Sequence, residues 1–542
     1  MRPFTLHPLA LRPARLLAVL ALCFATACSA DDAGSGGGAS GGPGPGAAPP
    51  PNAPPVTAGP GATGVGQAGA QDFGLFRQIL EAGQIPAPNT LDPLGFFAEH
   101  KLDYPAADCG QDVCMHGLLG VQRNLITGST CTVVQIGLNS PIRLENLERP
   151  PMDLVLAIDT SGSMRGAPID FVRRGLTRML SALEPGDRIA LVTYSDAAEV
   201  VIADARVDED GAALDGAIQG IIARGATNIY DGLYTAFGLA AEQLTPGRQS
   251  RVILLSDGVA TAGLESTDRL KALAEAYARL GIGLTTIGVG ADFDVSAMRG
   301  LSEVGAGNFY FLNDPAAVEE VFADEVATFL VPVALDVEIT LQVGQGYLLR
   351  GAYGTLGWTG GLHAGQVEIP SLFLAGRQTA AAPIEDGRRG GGGGILVELM
   401  PLRATNGLEQ LGLVGTLAMT YTDPQTGERR EQTIRVENPN DPGQVPDGGY
   451  FTASTAEKGF VMLNLLVGFQ IAADLAYDAD VGSAIGTLDA LRTEVQRWLS
   501  TQAVPDPDVV DDLRYVDLFI SNLQRVQNQT PVSRPPEPWP VD

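Results

Sequence analysis

The sequence predicts an α/β chain: a doubly wound, Rossmann-like domain, then a β-sandwich and a C-terminal helical region. Three observations carry that expectation. Apolar runs at 155–158, 189–194, 252–255 and 284–289 alternate with helical patterns at 212–222, 232–243 and 267–280, as in a parallel sheet covered on both faces. After Pro332 the pattern becomes that of strands, over 333–343, 347–352, 366–374, 395–400, 411–422 and 431–437. From Thr452 it turns helical, through Phe460, Leu463, Leu466, Phe469 and Ile471, with further helices at 481–499 and 508–523.

The 542 residues leave room for several domains. Lys and Arg number 35 against 63 Asp and Glu, a net charge of −28. That balance opposes nonspecific nucleic-acid binding, which depends on neutralising phosphates. At the N-terminus, Arg2, Arg12 and Arg15 precede the apolar run 16–25, too short to span a bilayer comfortably and typical of an export signal. The run ends in Ala25-Thr26-Ala27-Cys28-Ser29. Small residues before a cysteine resemble a bacterial lipoprotein cleavage box, which implies a signal peptide at 1–27 and a lipid on Cys28. Ordinary signal cleavage nearby is the alternative. Ser29 rather than Asp favours the outer membrane by the sorting pattern of familiar lipoproteins. Residues 28–70 hold mainly Gly, Pro, Ala and Ser, a composition that buries no core and reads as a disordered tether. No later segment offers a long uninterrupted apolar run, so the remainder is expected to be soluble and tethered.

The next region, 71–150, begins with short helices near Phe73 and Leu94 and contains Cys109, Cys114 and Cys131. In an oxidising compartment these predict one disulfide and one spare thiol, with the pairing open. His116 adds a zinc alternative (Cys109, Cys114, His116, Cys131), which the irregular spacing and export disfavour. A strand at 132–137 is expected to pair with those after Pro332, making the α/β domain an insertion in the sandwich. Pro150-Pro151 opens that domain, at 151–330; the sandwich follows at 331–448, helices at 449–529 and a Pro-rich tail at 530–542. The run Gly390-Gly391-Gly392-Gly393-Gly394 reads as a flexible loop. No Lys-Ser/Thr pair follows it, so it is not a phosphate cradle.

The chemistry concentrates where the first buried strand ends, in Asp159-Thr160-Ser161-Gly162-Ser163. Pro168 then lies near the start of a helix whose apolar face holds Ile169, Val172, Leu176, Met179, Leu180 and Leu183. Oxygen groups at the carboxyl end of a strand occupy the usual ligand crevice of an open α/β sheet. Thr227 precedes another helix, and Asp257 ends another buried strand. If these strands are neighbours, two carboxylates and three hydroxyls converge, a set suited to a hard divalent cation with positions left open. The alternative is that Asp159 and the serines merely cap the following helix. Asp196, Asp204 and Asp231 have no such company and read as solvated loop acids.

Asp159-x-Ser161-x-Ser163, Thr227 and Asp257 resemble the metal-ion-dependent adhesion site of von Willebrand factor type A (VWA) domains, in order, spacing and flanking strands. The resemblance implies that Ser161, Ser163 and Thr227 contact a metal, that Asp159 and Asp257 act through water, and that a bound protein's acidic residue completes the coordination. Mg²⁺ is the expected ion, with Ca²⁺ or Mn²⁺ as alternatives. Gly83-Gln84-Ile85-Pro86, Tyr104-Pro105, Ile136-Gly137-Leu138 and Arg149-Pro150-Pro151 also resemble the N-terminal segment of bacterial YfbK-type VWA proteins. The cysteine-bearing insert departs from that pattern.

The four histidines, His7, His100, His116 and His363, all lie outside the α/β domain. Ser163 is not in a Gly-x-Ser-x-Gly elbow, the loop after the first strand lacks Gly-x-Gly-x-x-Gly, and no Walker A sequence is present. The expectation is non-enzymatic: an envelope lipoprotein that binds a protein partner through a divalent cation, for adhesion or complex assembly. A structural or auxiliary subunit using the sandwich and helices is the second reading. A metal-assisted hydrolase is the third, and it lacks a base.

Overall fold

The computed structural model describes residues 63–67, 69–70, 73–143, 150–257, 260–289, 295–305, 307–312, 332–355, 357–375, 391–402 and 412–528. The signal peptide, Cys28, most of the tether and the Pro-rich tail lie outside them.

Seven strands form the central sheet in the order Gly69–Ala70, Asn308–Leu312, Ile282–Val289, Gln249–Ser256, Met152–Asp159, Arg188–Tyr194, Ala198–Arg206. Every pairing is parallel except the last, where Ala198–Arg206 runs antiparallel along the sheet edge. Met152–Asp159 is buried throughout, as its continuous apolar run predicts. Its side chains alternate between two cores. Leu154, Leu156 and Ile158 meet Ala167–Ala182 and Val207–Gln219 on one face; Val155 and Ala157 meet Ile229–Glu242 and its neighbours on the other. Val207–Gln219 starts five residues before the apolar pattern shows it. Its first turn carries Asp208, Glu209 and Asp210, which suit the positive end of the helix dipole but break the periodic signal.

The second sheet has eleven antiparallel strands. Thr130–Ser140 pairs with Ile395–Pro401, matching Val134 with Val397, so the VWA-like domain interrupts a sheet that begins before it and resumes after it. Val134, Ile136, Val337, Ile339, Leu417 and Val436 share one apolar core, which joins the two halves into a sandwich. The tether ends earlier than its composition suggests. Thr63–Gln67 is a fully buried strand, paired with Ala364–Leu374 on one side and Thr130–Ser140 on the other. Backbone hydrogen bonding holds it there, because Val65 is its only large apolar residue.

The glycine run also departs from expectation. Gly391–Gly394 packs against residues 97–101, with Gly392 bridged to Lys101. A Cβ on Gly391 would come within 2.6 Å of the His100 backbone. Close approach, not flexibility, is what these glycines provide.

The helical region wraps Ser454–Tyr477. This helix is long and apolar enough to cross a membrane, with mean hydropathy 1.6, but 72 % of that window is buried within the protein. It is a core helix, and it corrects the expectation that no long apolar stretch follows the signal. Gly74–Glu81, Pro93–Glu99, Val481–Thr501 and Pro507–Asn528 surround it, and Phe469 meets Phe73, Phe76 and Phe96. Buried polar side chains fix the same junction. His100 Nε2 lies 2.7 Å from Asp512, and Lys458 Nζ lies 2.8 Å from both Asp506 and Asp508.

Candidate metal centre

Register places the chemistry. Ile158 lies opposite Leu255 and Asp159 opposite Tyr194, so Asp159 and Asp257 leave the ends of adjacent central strands. Asp159 is fully buried. Its Oδ1 accepts the backbone N–H of Ser161 at 2.8 Å, and its Oδ2 accepts the Ser256 hydroxyl at 2.6 Å. Those bonds pull the chain into a tight loop and turn the serines inward. Ser161 Oγ lies 2.9 Å from Ser163 Oγ, and Ser163 Oγ donates to Asp257 Oδ1 at 2.9 Å. Ser163 is exposed, whereas Ser161 and Asp257 are buried, so the cluster opens to solvent at Ser163.

The Thr227 loop is fastened alongside. Arg224 N–H donates to Thr160 O at 2.5 Å, and Gly162 N–H donates to Gly225 O at 3.0 Å. Gly225 has φ +78° and packs on Asp196, where a Cβ would come 2.5 Å from Oδ2; both facts require glycine. Thr227 is buried; its N–H donates to Thr261 Oγ1 and its carbonyl accepts from Thr261 and Ala262. Asn228 then caps Ile229–Glu242 through Asp231 N–H.

Helix capping does not account for the oxygens. Gly166 caps Ala167–Ala182 without a side-chain bond, and Ser161 makes none to the 3₁₀ turn that follows it. Burial pushes the Asp159 carboxyl above its ordinary range, opposed by the bonds from Ser256 and Ser161. The Tyr194 hydroxyl is pushed well up too, by burial first and then by the charges of Asp159 and Asp257. Two buried carboxyl groups, Asp159 and Asp257, thus share this loop cluster.

Among the described residues no group of three or more His, Cys, Asp and Glu is placed to hold a metal. A cation here would need the hydroxyls as well as the two carboxylates. An all-oxygen set of that kind fits Mg²⁺, Ca²⁺ or Mn²⁺ by ligand hardness. The zinc alternative is corrected. Cys109 and Cys114 form a disulfide with Cα atoms 5.7 Å apart, Cys131 is disulfide-bonded as well, and His116 bonds Asn139 at 2.8 Å. None of the three described cysteines is a free thiol, which also corrects the spare one.

Two of the presumed loop acids have structural work. Asp196 Oδ1 accepts Ala226 N–H, and Asp231 Oδ2 accepts Ala198 N–H at 2.7 Å. Asp204 is exposed, 3.9 Å from Arg188. Ser256 escaped the sequence reading; its only signal was its place beside Asp257 at a strand end.

Residues 153–324 match the family model of the von Willebrand factor type A domain, and with the sheet order above they are a VWA domain. The uncharacterized protein YfbK of Escherichia coli (strain K12) is 27 % identical over 197 residues, 36 % of this chain and 34 % of that protein. The E3 ubiquitin-protein ligase WAV3 of Arabidopsis thaliana is 25 % identical over 310 residues, 54 % of this chain and 37 % of its own. The matches thus span little more than a third of either curated relative. Among solved structures, a von Willebrand factor type A protein from Catenulispora acidiphila superposes with TM-score 0.47 at 16 % identity, covering 76 % of this chain and 96 % of its own.

Proposed function

We propose that this chain is a cell-envelope lipoprotein whose VWA domain binds a protein partner through a divalent cation, in adhesion or complex assembly. VWA domains are protein-interaction modules, which supports the class of function. The single observation that carries the cation reading is the hydroxyl chain from Ser161 through Ser163 to Asp257, unused by helix capping and open to solvent at Ser163. Ser161, Ser163 and Thr227 would hold the ion, with Asp159 and Asp257 balancing its charge. Mg²⁺ is the preferred occupant, with Ca²⁺ or Mn²⁺ as alternatives. The ion would supply an open coordination position for a partner's carboxylate. Cys28 would carry the lipid anchor, with the outer membrane favoured; the competing use of Cys28 is a disulfide to Cys131, since removal of the signal peptide leaves Cys131 no other cysteine of this chain to pair with. The role is non-enzymatic: the VWA domain has no histidine to serve as a base.

Affinity capture from envelope extract tests this reading, with residues 29–542 as bait so that the strands Thr63–Gln67 and Gly69–Ala70 are kept. A partner retained by wild type in Mg²⁺, and lost with chelator or with Asp159→Ala, is the expected result. Equal capture in all three arms would sink it and move recognition to the sandwich and helices.

A further inference from the structure

A second concave site lies far along the chain from the metal cluster. A cleft of about 740 Å³ opens where the hairpin loop 124–128 meets the first turn of Ser454–Tyr477 and the last turns of Val481–Thr501. Leu125, Ile126, Phe451 and Phe460 supply apolar wall, and the two Phe rings pack edge to face at 5.9 Å. Clefts of this size, largely apolar with a few fixed polar groups, are where proteins take small ligands.

The fixed polar group is Glu457. Its Oε1 accepts the indole N–H of Trp498 at 3.0 Å, which locks the carboxylate and the ring together. No described Lys, Arg or His pairs with it, and its second oxygen bonds no described residue. The other charges of the lining are satisfied or solvated: Arg497 is tied to Glu494, and Arg123 is exposed and donates to Gly128 O. The uncompensated charge inside the cleft is therefore negative. Burial raises the Glu457 carboxyl above its ordinary range, against the bond from Trp498. A half-buried carboxylate beside aromatic rings is stabilised most by a weakly hydrated cation, which adds a charge-assisted bond and contact with the ring faces.

We propose that this cleft binds an organic cation, an ammonium group on an apolar body, with Glu457 receiving the charge and Trp498, Phe451 and Phe460 the body. The same chemistry is offered by a free amine and by a lysine side chain on a peptide.

The test is calorimetric titration of the mature chain with 2-phenylethylamine, 2-phenylethanol and 3-phenylpropionate, plus a short peptide carrying one Phe and one Lys. The amine should bind about tenfold or more tightly than the alcohol, and the carboxylate should bind more weakly still. Glu457→Gln keeps an acceptor for the Trp498 N–H, so the fold is retained while the preference for the amine disappears. Trp498→Phe should weaken amine and alcohol alike. Comparing peptide with free amine names the natural source, and tight binding by either supports the shared chemistry. The proposal is overturned if alcohol or carboxylate equals the amine, if no compound binds at millimolar concentration, or if Glu457→Gln keeps the preference. The site is independent of the metal reading, so neither failure implies the other.

Discussion

Replacing Asp159 by Asn separates the charge of the loop from its geometry. An asparagine Oδ1 still accepts the Ser161 N–H, and its amide donates to Ser256 Oγ in place of the present bond. The metal-free domain should then be as stable as wild type or slightly more so, since a fully buried carboxylate has been removed. What disappears is cation affinity. A ligand at about 100 times its Kd stabilises the folded state by about 2.7 kcal/mol. For a domain the size of residues 153–324, each kcal/mol moves the midpoint by about 2–4 °C. Saturating Mg²⁺ should therefore raise the wild-type VWA transition by about 5–11 °C and leave Asp159→Asn in place. Calorimetry with Mg²⁺ and with chelator measures the shift. Trp358, Trp498 and Trp539 all lie outside the VWA domain, so tryptophan fluorescence should miss it, which assigns the transition. A wild-type VWA midpoint indifferent to Mg²⁺, or an equal shift in Asp159→Asn, would refute the reasoning.

Other consequences are independent of the metal. Asp508→Ala removes an acceptor from the buried Lys458 ammonium and from Lys101 N–H. With Asp506 still 2.8 Å from Lys458, the cost should be near the low end for a broken buried pair, about 3 kcal/mol, read from denaturant unfolding by tryptophan fluorescence. Phe469→Ala empties the centre of the Phe73, Phe76 and Phe96 cluster and should cost about 3–5 kcal/mol in the same assay. His116 is held below its ordinary imidazole range by burial, against the bond to Asn139 and the field of Asp108. The unfolded chain thus takes up this proton at higher pH than the folded one. Stability should be unaffected by His116 above about pH 6.5 and fall as pH drops from there through the folded value. In urea unfolding at a series of pH values, His116→Gln should flatten that fall; an unchanged slope assigns the acid sensitivity elsewhere.

Much of the VWA domain was legible because its signals are local and redundant. The run 155–158 is apolar on both faces, and Asp159, Ser161 and Ser163 follow it without interruption. Asp257 reaches Ser163 because its strand is the parallel neighbour of Met152–Asp159, and the loop that carries Thr227 is fastened beside them by backbone bonds. The rest depended on contacts distant in sequence. Cys114–Arg123 is a ten-residue strand whose apolar pattern is interrupted by Gly117 and Gly120. Thr63–Gln67 has almost no side-chain signal and exists because two strands offer it backbone partners. Ser454–Tyr477 is apolar on every side because Gly74–Glu81 and Pro507–Asn528, far apart in the chain, both cover it, an enclosure that one segment cannot announce. The Glu457 cleft was illegible for the same reason: Glu457 and Trp498 meet across two helices.

The most direct measurement is equilibrium Mn²⁺ binding to the mature chain, followed by electron paramagnetic resonance. Wild type should bind one Mn²⁺ per chain at the VWA domain, displaceable by Mg²⁺, and the Asp159→Asn, Asp257→Asn double variant should bind none there while remaining folded. Absence of bound Mn²⁺ in wild type, or its full retention in the double variant, would contradict the account.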